Sequence, residues 1–345
     1  MLSSLLEFLS GIPFFTSPAF GIMSMIIVGS SWCLIGFIMG DAPKRGIEPS
    51  IVQLLGFLCA CIFSIPAMII TDGVPQCSWQ ITAFTCGVIG IGGFMNFFML
   101  QIMSYAMQKG PNGVIWAVIQ SALVFPFIGG IVFFDVQLTW ARGFGIVCLL
   151  AALVLFAMTK DNANSRGGWK IPALICLLIT AIQQNLTTMP SYFQEARAVG
   201  SIVRTLAASV GGLSAALIYD LVKMDKARWQ KLCSNMKNPV LWRYTVALQL
   251  FNLIFAYTLF YPGMNAMADA GLGGMSYPMM VGSCIVSFSI TAVLLLKEKF
   301  TMFQFGALII CISGLVLICI PTGKTENPES CIAVQQGADT VSQVQ

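Results

Sequence analysis

Apolar residues run through this chain in long stretches separated by short polar turns. No Asp, Glu, Lys or Arg occurs in ten intervals: 8–40, 49–71, 73–108, 110–134, 143–159, 171–194, 205–219, 244–268, 270–296 and 300–323. A membrane-spanning helix needs about 20 mostly apolar residues, and eight of the ten intervals are long enough outright. The two short ones, 143–159 and 205–219, each follow an arginine, Arg142 and Arg204. A long Arg side chain can reach back to the interface, so each helix can start a few residues earlier. The pattern therefore predicts an all-α integral membrane protein with ten transmembrane helices. Ahead of the first, Leu2, Leu5, Leu6 and Leu9 recur at helical spacing, so residues 1–17 read as an interfacial segment. That segment carries Glu7 and no basic cluster, which argues against a secretory signal. Pro321 stops the last run, and 321–345 is a polar tail expected to be disordered.

Composition agrees with the pattern: 57% of residues are hydrophobic and 9% charged, with a mean hydropathy of +0.84. Soluble domains carry roughly 25% charged residues. Basic residues are unevenly placed. The turns after runs 1, 3, 5, 7 and 9 hold 14 Lys and Arg, whereas the opposite side holds Arg142, Arg197, Arg204 and Lys324. The positive-inside rule puts the basic turns in the cytoplasm and both termini outside, in a multi-pass inner membrane. The net charge of +4 follows from this bias and implies no nucleic-acid partner. Of the 12 cysteines, nine fall inside the runs, where Cys acts as a small hydrophobe. Cys77 and Cys331 would share the outer side, and the sequence leaves open whether they pair.

The chain shows traces of an internal repeat. Segment 110–145 resembles 271–306, with Gly110, Gly113 and Gly145 matching Gly271, Gly274 and Gly306 at one shift. Thr139 matches Thr301 with one residue gapped. Each segment is helix, short charged turn, helix, and each closes five runs. An odd number per half inserts the halves oppositely, an inverted-topology repeat of 5+5 helices. The expected units are 18–158 and 169–320, with the polar linker 159–168 between them.

These turns carry a family resemblance. Glu298-Lys-Phe-Thr301 followed by Gln304 and Gly306 resembles the turn that ends a repeat in the drug/metabolite transporter superfamily, EamA-like branch. Asp135 through Gly145 resembles the same turn, with an extra residue between Asp135 and Thr139. The resemblance covers the whole chain in length and helix count, and only these two turns in motif. It implies two five-helix halves around a central cavity, and the layout is also similar to that of the bacterial L-rhamnose–proton symporters. Locally, a carboxylate near a helix start suits its positive end, Thr301 can cap the first turn, and Gly306 can let a neighbouring helix approach.

A polar side chain in the hydrocarbon core needs a partner or a wet cavity. In the sixth run, Thr180, Gln184 and Thr188 share a face, flanked by Gln183 and Asn185. Gln249 and Asn252 form one stripe of the eighth run, and Tyr257 and Tyr261 another. The candidate contacts for a small polar solute are Trp32, Asn96, Trp116, Gln120, Gln183, Gln184, Thr188, Asn252, Tyr257, Tyr277 and Ser283. Amides can meet hydroxyls while aromatic faces cover apolar solute surface. Each of these residues also has a bland reading, as glue between helices or as an interface anchor. Arg204 could meet an anionic group or turn to the outer interface, and Glu195 is the first candidate for proton coupling. There is no histidine, the usual near-neutral proton carrier.

Three functional classes are consistent with such a chain. A secondary transporter working by alternating access fits best. A membrane enzyme needs convergent acids, metal ligands or an activated nucleophile, and the runs contain no paired carboxylates. A scaffold or sensor would ordinarily carry a soluble domain. No enzymatic activity, cofactor or metal is expected. The basic, amphipathic stretch 223–239 reads as a helix on anionic lipid.

Overall fold

The computed structural model describes residues 17–70, 77–133, 139–157, 168–269, 275–297, 301–318 and 320. The expected interfacial segment, the linker, Asp135, Glu298, Gly271, Gly274, Cys331 and the polar tail lie outside the described residues, apart from small parts of their margins. The same holds for the side chain of Asn252.

Among the described residues, ten apolar helices follow in order. They are α1 (Pro18–Ser31, resuming after Trp32 as Cys33–Asp41), α2 (Pro49–Ile70), α3 (Trp79–Met107) and α4 (Asn112–Gln120, then Val124–Phe133). After these come α5 (Trp140–Ala157), α6 (Lys170–Thr188) and α7 (Ser201–Val222). The last are α8 (Pro239–Phe255, then Tyr261–Asp269), α9 (Ser276–Leu294) and α10 (Met302–Ile318). A shorter polar helix, Lys226–Met236, joins α7 to α8. Eight of the ten are long and apolar enough to cross a membrane, the build of a multi-pass membrane protein; α5 and α10 are apolar but shorter. The outward faces stay apolar, with Ile62, Val132, Phe144, Ile182, Val210, Val246 and Val316 all exposed. Lipid accepts such a surface, since the driving force is to hide backbone and polar groups.

The helix ends show why the polar turns work. Ser17 caps α1 by accepting from the Phe20 amide at 3.2 Å, and Ser78 caps α3 through the Ile81 amide at 3.4 Å. At α10 the cap is reciprocal: the Gln304 amide donates to Thr301 Oγ1 (3.2 Å) and the Thr301 amide to Gln304 Oε1 (2.8 Å). This is a capping box with Gln in place of Glu. Thr139 does the same work at α5, accepting from the Arg142 amide at 3.4 Å. Thr301→Ala is expected to cost about 1 kcal/mol, read as a lowered midpoint in thermal unfolding of the detergent-purified protein.

Gly306 does not have the role expected of it. A Cβ built there meets nothing within 4 Å, whereas one at Gly314 would lie 2.8 Å from the Gly145 carbonyl. The close approach of α5 and α10 therefore lies two turns further along. Tighter crossings join α3 to α7 and α1 to α9. A Cβ on Gly93 would fall 2.0 Å from the Ala208 carbonyl oxygen, and one on Gly211 1.9 Å from that of Gly90. Gly29 stands in the same relation to Met280, at 1.9 Å. Small residues let these backbones touch, as is common between helices in lipid. Around them α3 packs on α6 and α7, α1 on α9 and the end of α8, α2 on α7 and α8, and α4 on α6 and α9.

Two of the interior prolines follow breaks, whereas Pro66 lies within the unbroken helix α2. Ahead of Pro262 the turn Ala256–Phe260 widens to π geometry. A proline has no amide to give and its ring crowds the carbonyl one turn back, so the preceding turn rearranges. In α4 the turn Ser121–Leu123 tightens to 3-10 geometry just before Pro126.

Candidate functional site

Many hydroxyls in the spans are satisfied within their own helix. Ser121, Thr187, Thr188, Thr205, Ser209 and Ser289 each donate to the carbonyl four residues back, at 2.7–2.9 Å. Such back-bonding removes the penalty of an unpaired hydroxyl without needing a neighbour. Polar links between helices are fewer. Ser104 donates to the Met39 carbonyl at 2.7 Å, Ser287 to that of Ser30 at 3.2 Å, and Ser64 bonds the Tyr257 hydroxyl.

Against this background one cavity of about 220 Å³ stands among α1, α2, α3, α6, α7, α8 and α9. Its polar lining includes Ser31, Asn96, Gln183, Thr187, Ser209 and Gln249, and its aromatic walls are Trp32, Phe57, Phe260, Tyr261 and Tyr277. Phe260 and Tyr261 pack edge to face at 4.7 Å, and Trp32 leans on Phe260 at 6.4 Å. The π-turn supplies Ala256 and Phe260, so the widened backbone borders the cavity itself. Gln249 reaches across from α8 until its Nε2 would lie 2.7 Å from a Cβ on Gly56 of α2. The volume is below the roughly 300–1,000 Å³ of drug-sized sites and suits a small solute.

The structure distributes the expected site residues unevenly. Trp32, Asn96, Gln183 and Tyr277 come together on the cavity wall. The Thr180–Gln184–Thr188 stripe of α6 is buried but is not part of the cavity lining, with Gln184 3% exposed and its Oε1 without a hydrogen-bond partner among the described residues. One residue along, Gln183 and Thr187 form the stripe that lines the cavity. Trp116 stacks on Phe288 at 4.9 Å, and Gln120 is buried in the same helix. Tyr257 bonds Ser64 between α8 and α2, and Ser283 donates to the Met280 carbonyl at 2.9 Å in the α1–α9 crossing. Glu195 is exposed on the short helix Gln194–Arg197. Gln249, Thr187, Ser209, Phe260 and Tyr261 line the cavity but were not among the expected contacts.

Arg204 also departs from the interface reading. Only 1% of it is exposed, and its Nη2 donates to the Ala196 carbonyl at 2.7 Å. The guanidinium lies over the ring of Tyr261, 5.5 Å from its centroid. Burial beneath the 193–200 segment, rather than snorkelling, is what the fold imposes on it.

A second polar cluster closes the end of the bundle that holds residues 41–50. Arg228 bonds Asp220, meets Glu48 at 3.2 Å and donates to Ser50 Oγ at 3.1 Å. Lys231 meets Glu48 at 2.7 Å. Nearby, Asp41 takes the Tyr244 hydroxyl and Arg45 Nε, the latter at 2.5 Å. The helix Lys226–Met236 is thus pinned to α7 and to the start of α2 through Arg228 and Lys231. Burial works against the Arg228 charge, but the hydrogen bond to Asp220 and the attraction of Glu48 and Asp220 hold its pKa above the ordinary guanidinium value. None of these residues lines the cavity.

No family model and no curated protein matches the chain. A solved crystal structure of a protein shares the fold, with a TM-score of 0.55 at 16% identity over 86% of this chain and 96% of its own.

Proposed function

We propose that this protein is a secondary transporter of a small polar metabolite, a sugar, amino acid or similar solute, working by alternating access. The observation that carries the reading is the cavity of about 220 Å³ among seven of the helices, lined by carboxamides, hydroxyls and aromatic rings. Amides fixed in an apolar bundle are costly unless they serve a solute or water, and aromatic faces suit the apolar side of such a solute.

In this reading α5 and α10 also cross the membrane, giving ten spans in two oppositely inserted sets of five, with both termini outside an inner membrane. The packing of the helices supports the repeat. Adding five to each number turns the α1–α9 contact into α6–α4 and α3–α6 into α8–α1, and it turns α3–α7 into α8–α2. The pairs α2–α7, α4–α9 and α5–α10 map onto themselves. The paired caps at Thr139 and Thr301 belong to the same scheme and to the resemblance with the drug/metabolite transporter superfamily.

The test is uptake into proteoliposomes from a broad panel of sugars, amino acids and nucleosides. Gln183→Ala and Gln249→Ala should each lower apparent affinity for the transported solute about tenfold, the worth of one or two lost hydrogen bonds to a buried ligand. Failure of every solute to cross would end the transport reading.

A further inference from the structure

We propose that the solute is an anion, and that Arg204 receives its carboxylate or phosphate. The proposal rests on the transport reading and narrows its substrate class. A buried guanidinium ordinarily sits against a carboxylate, because an isolated charge is expensive away from water. Arg204 has none: the ion pairs among the described residues leave it out, and the charged group acting on it is Arg197, another cation. Its Nε has no hydrogen-bond partner among the described residues, although the side chain is 1% exposed.

Its position worsens the imbalance. Arg204 stands in the first turn of α7, where the helix already presents its positive end. A cation there raises the positive potential that an anion would relieve. Arg204 does not itself line the cavity, but two of its neighbours do. Thr205, the next residue, lines it, and so does Tyr261, whose ring carries the guanidinium. An incoming oxyanion would find the planar fork that pairs with carboxylates and phosphates, while Asn96, Gln183 and Gln249 meet its neutral remainder.

The experiment uses the full-length protein in detergent and in proteoliposomes with matched pairs of solutes that differ at one end. Gluconate is compared with sorbitol, glycerate with glycerol, and glucose 6-phosphate with glucose, alongside inorganic phosphate and the wider panel. Thermal shift and uptake are both read. The expected result is that acidic members bind and cross at least tenfold better than their neutral partners. The carboxylate and phosphate arms then tell which group is taken. Arg204→Gln should erase the acid-over-neutral ratio, and Arg204→Lys should restore part of it. Neutral members performing as well as acidic ones in the wild type would overturn the proposal and leave the transport reading standing. A monodisperse R204Q with the wild-type ratio would overturn it too. Should R204Q fail to fold, the wild-type ratio and R204K decide. If nothing in the pairs or the wider panel crosses, the transport reading falls and takes the proposal with it.

Discussion

Alanine in place of Gly93 is expected to destabilise the folded protein by about 3 kcal/mol, the upper part of the usual range for overpacking. The new methyl would stand 2.0 Å from the Ala208 carbonyl oxygen. That obstacle is backbone inside a helix, so no side chain can swing away, and α3 and α7 must separate along their crossing. Gly211→Ala meets the Gly90 carbonyl in the same way at 1.9 Å and should cost as much. Gly87, Gly143 and Gly306 serve as controls, since a Cβ at any of them meets nothing within 4 Å. Alanine there should be neutral or stabilising by roughly 0.5–1 kcal/mol through helix propensity. Thermal unfolding in detergent checks the set. Equal losses at Gly93 and Gly87 would show that the crossing is looser than described.

Replacing Arg228 with Gln is expected to open the end of the bundle where the ionic cluster sits. Its partner Asp220 has a side chain 6% exposed, and losing the cation leaves that carboxylate buried without its counter-charge. Breaking such a pair costs about 3 kcal/mol. Two links to α2, through Glu48 and Ser50, go with it. A cysteine placed at buried Gln53 in an R228Q background should react with a maleimide about a hundredfold faster than in the parent. Neutralising Glu48 and Asp220 together with Arg228 should recover part of the protection. The raised guanidinium pKa makes the contribution full at physiological pH, and it would fade only as pH climbs through the guanidinium range. Protection that varies between pH 6 and 8, or a Gln53 cysteine indifferent to Arg228, would refute this account.

The long apolar runs were plain in the sequence because charge is so costly in hydrocarbon that its spacing outlines helices almost by itself. The Thr301 cap was legible for a similar local reason: Thr, two residues, Gln is a pattern whose bonds stay within one turn. The side of α6 that faces the cavity was not. Residues 183, 184, 185, 187 and 188 are all polar, so periodicity offers two adjacent stripes and no means of choosing. The choice is made by α4, which packs on α6 and takes Asn185 close against Gly129. Gly306 misled for the converse reason, since closeness belongs to the neighbour as much as to the glycine. Arg204 looked like an interface residue because it bounds an apolar run; only the 193–200 segment folding over it makes it internal.

The near-contact at Gly93 lies midway along α3, which runs from Trp79 to Met107. With no side chain interposed, alternating access would tilt the two rods on one another there like a see-saw rather than slide them. Each arm of α3 is about 21 Å long at 1.5 Å per residue, so a tilt of about 10° carries its tips about 4 Å while the fulcrum stays put. If the protein works by alternating access as proposed, spin labels at the tips should report large distance changes between its states, and a pair flanking Gly93 and Ala208 almost none.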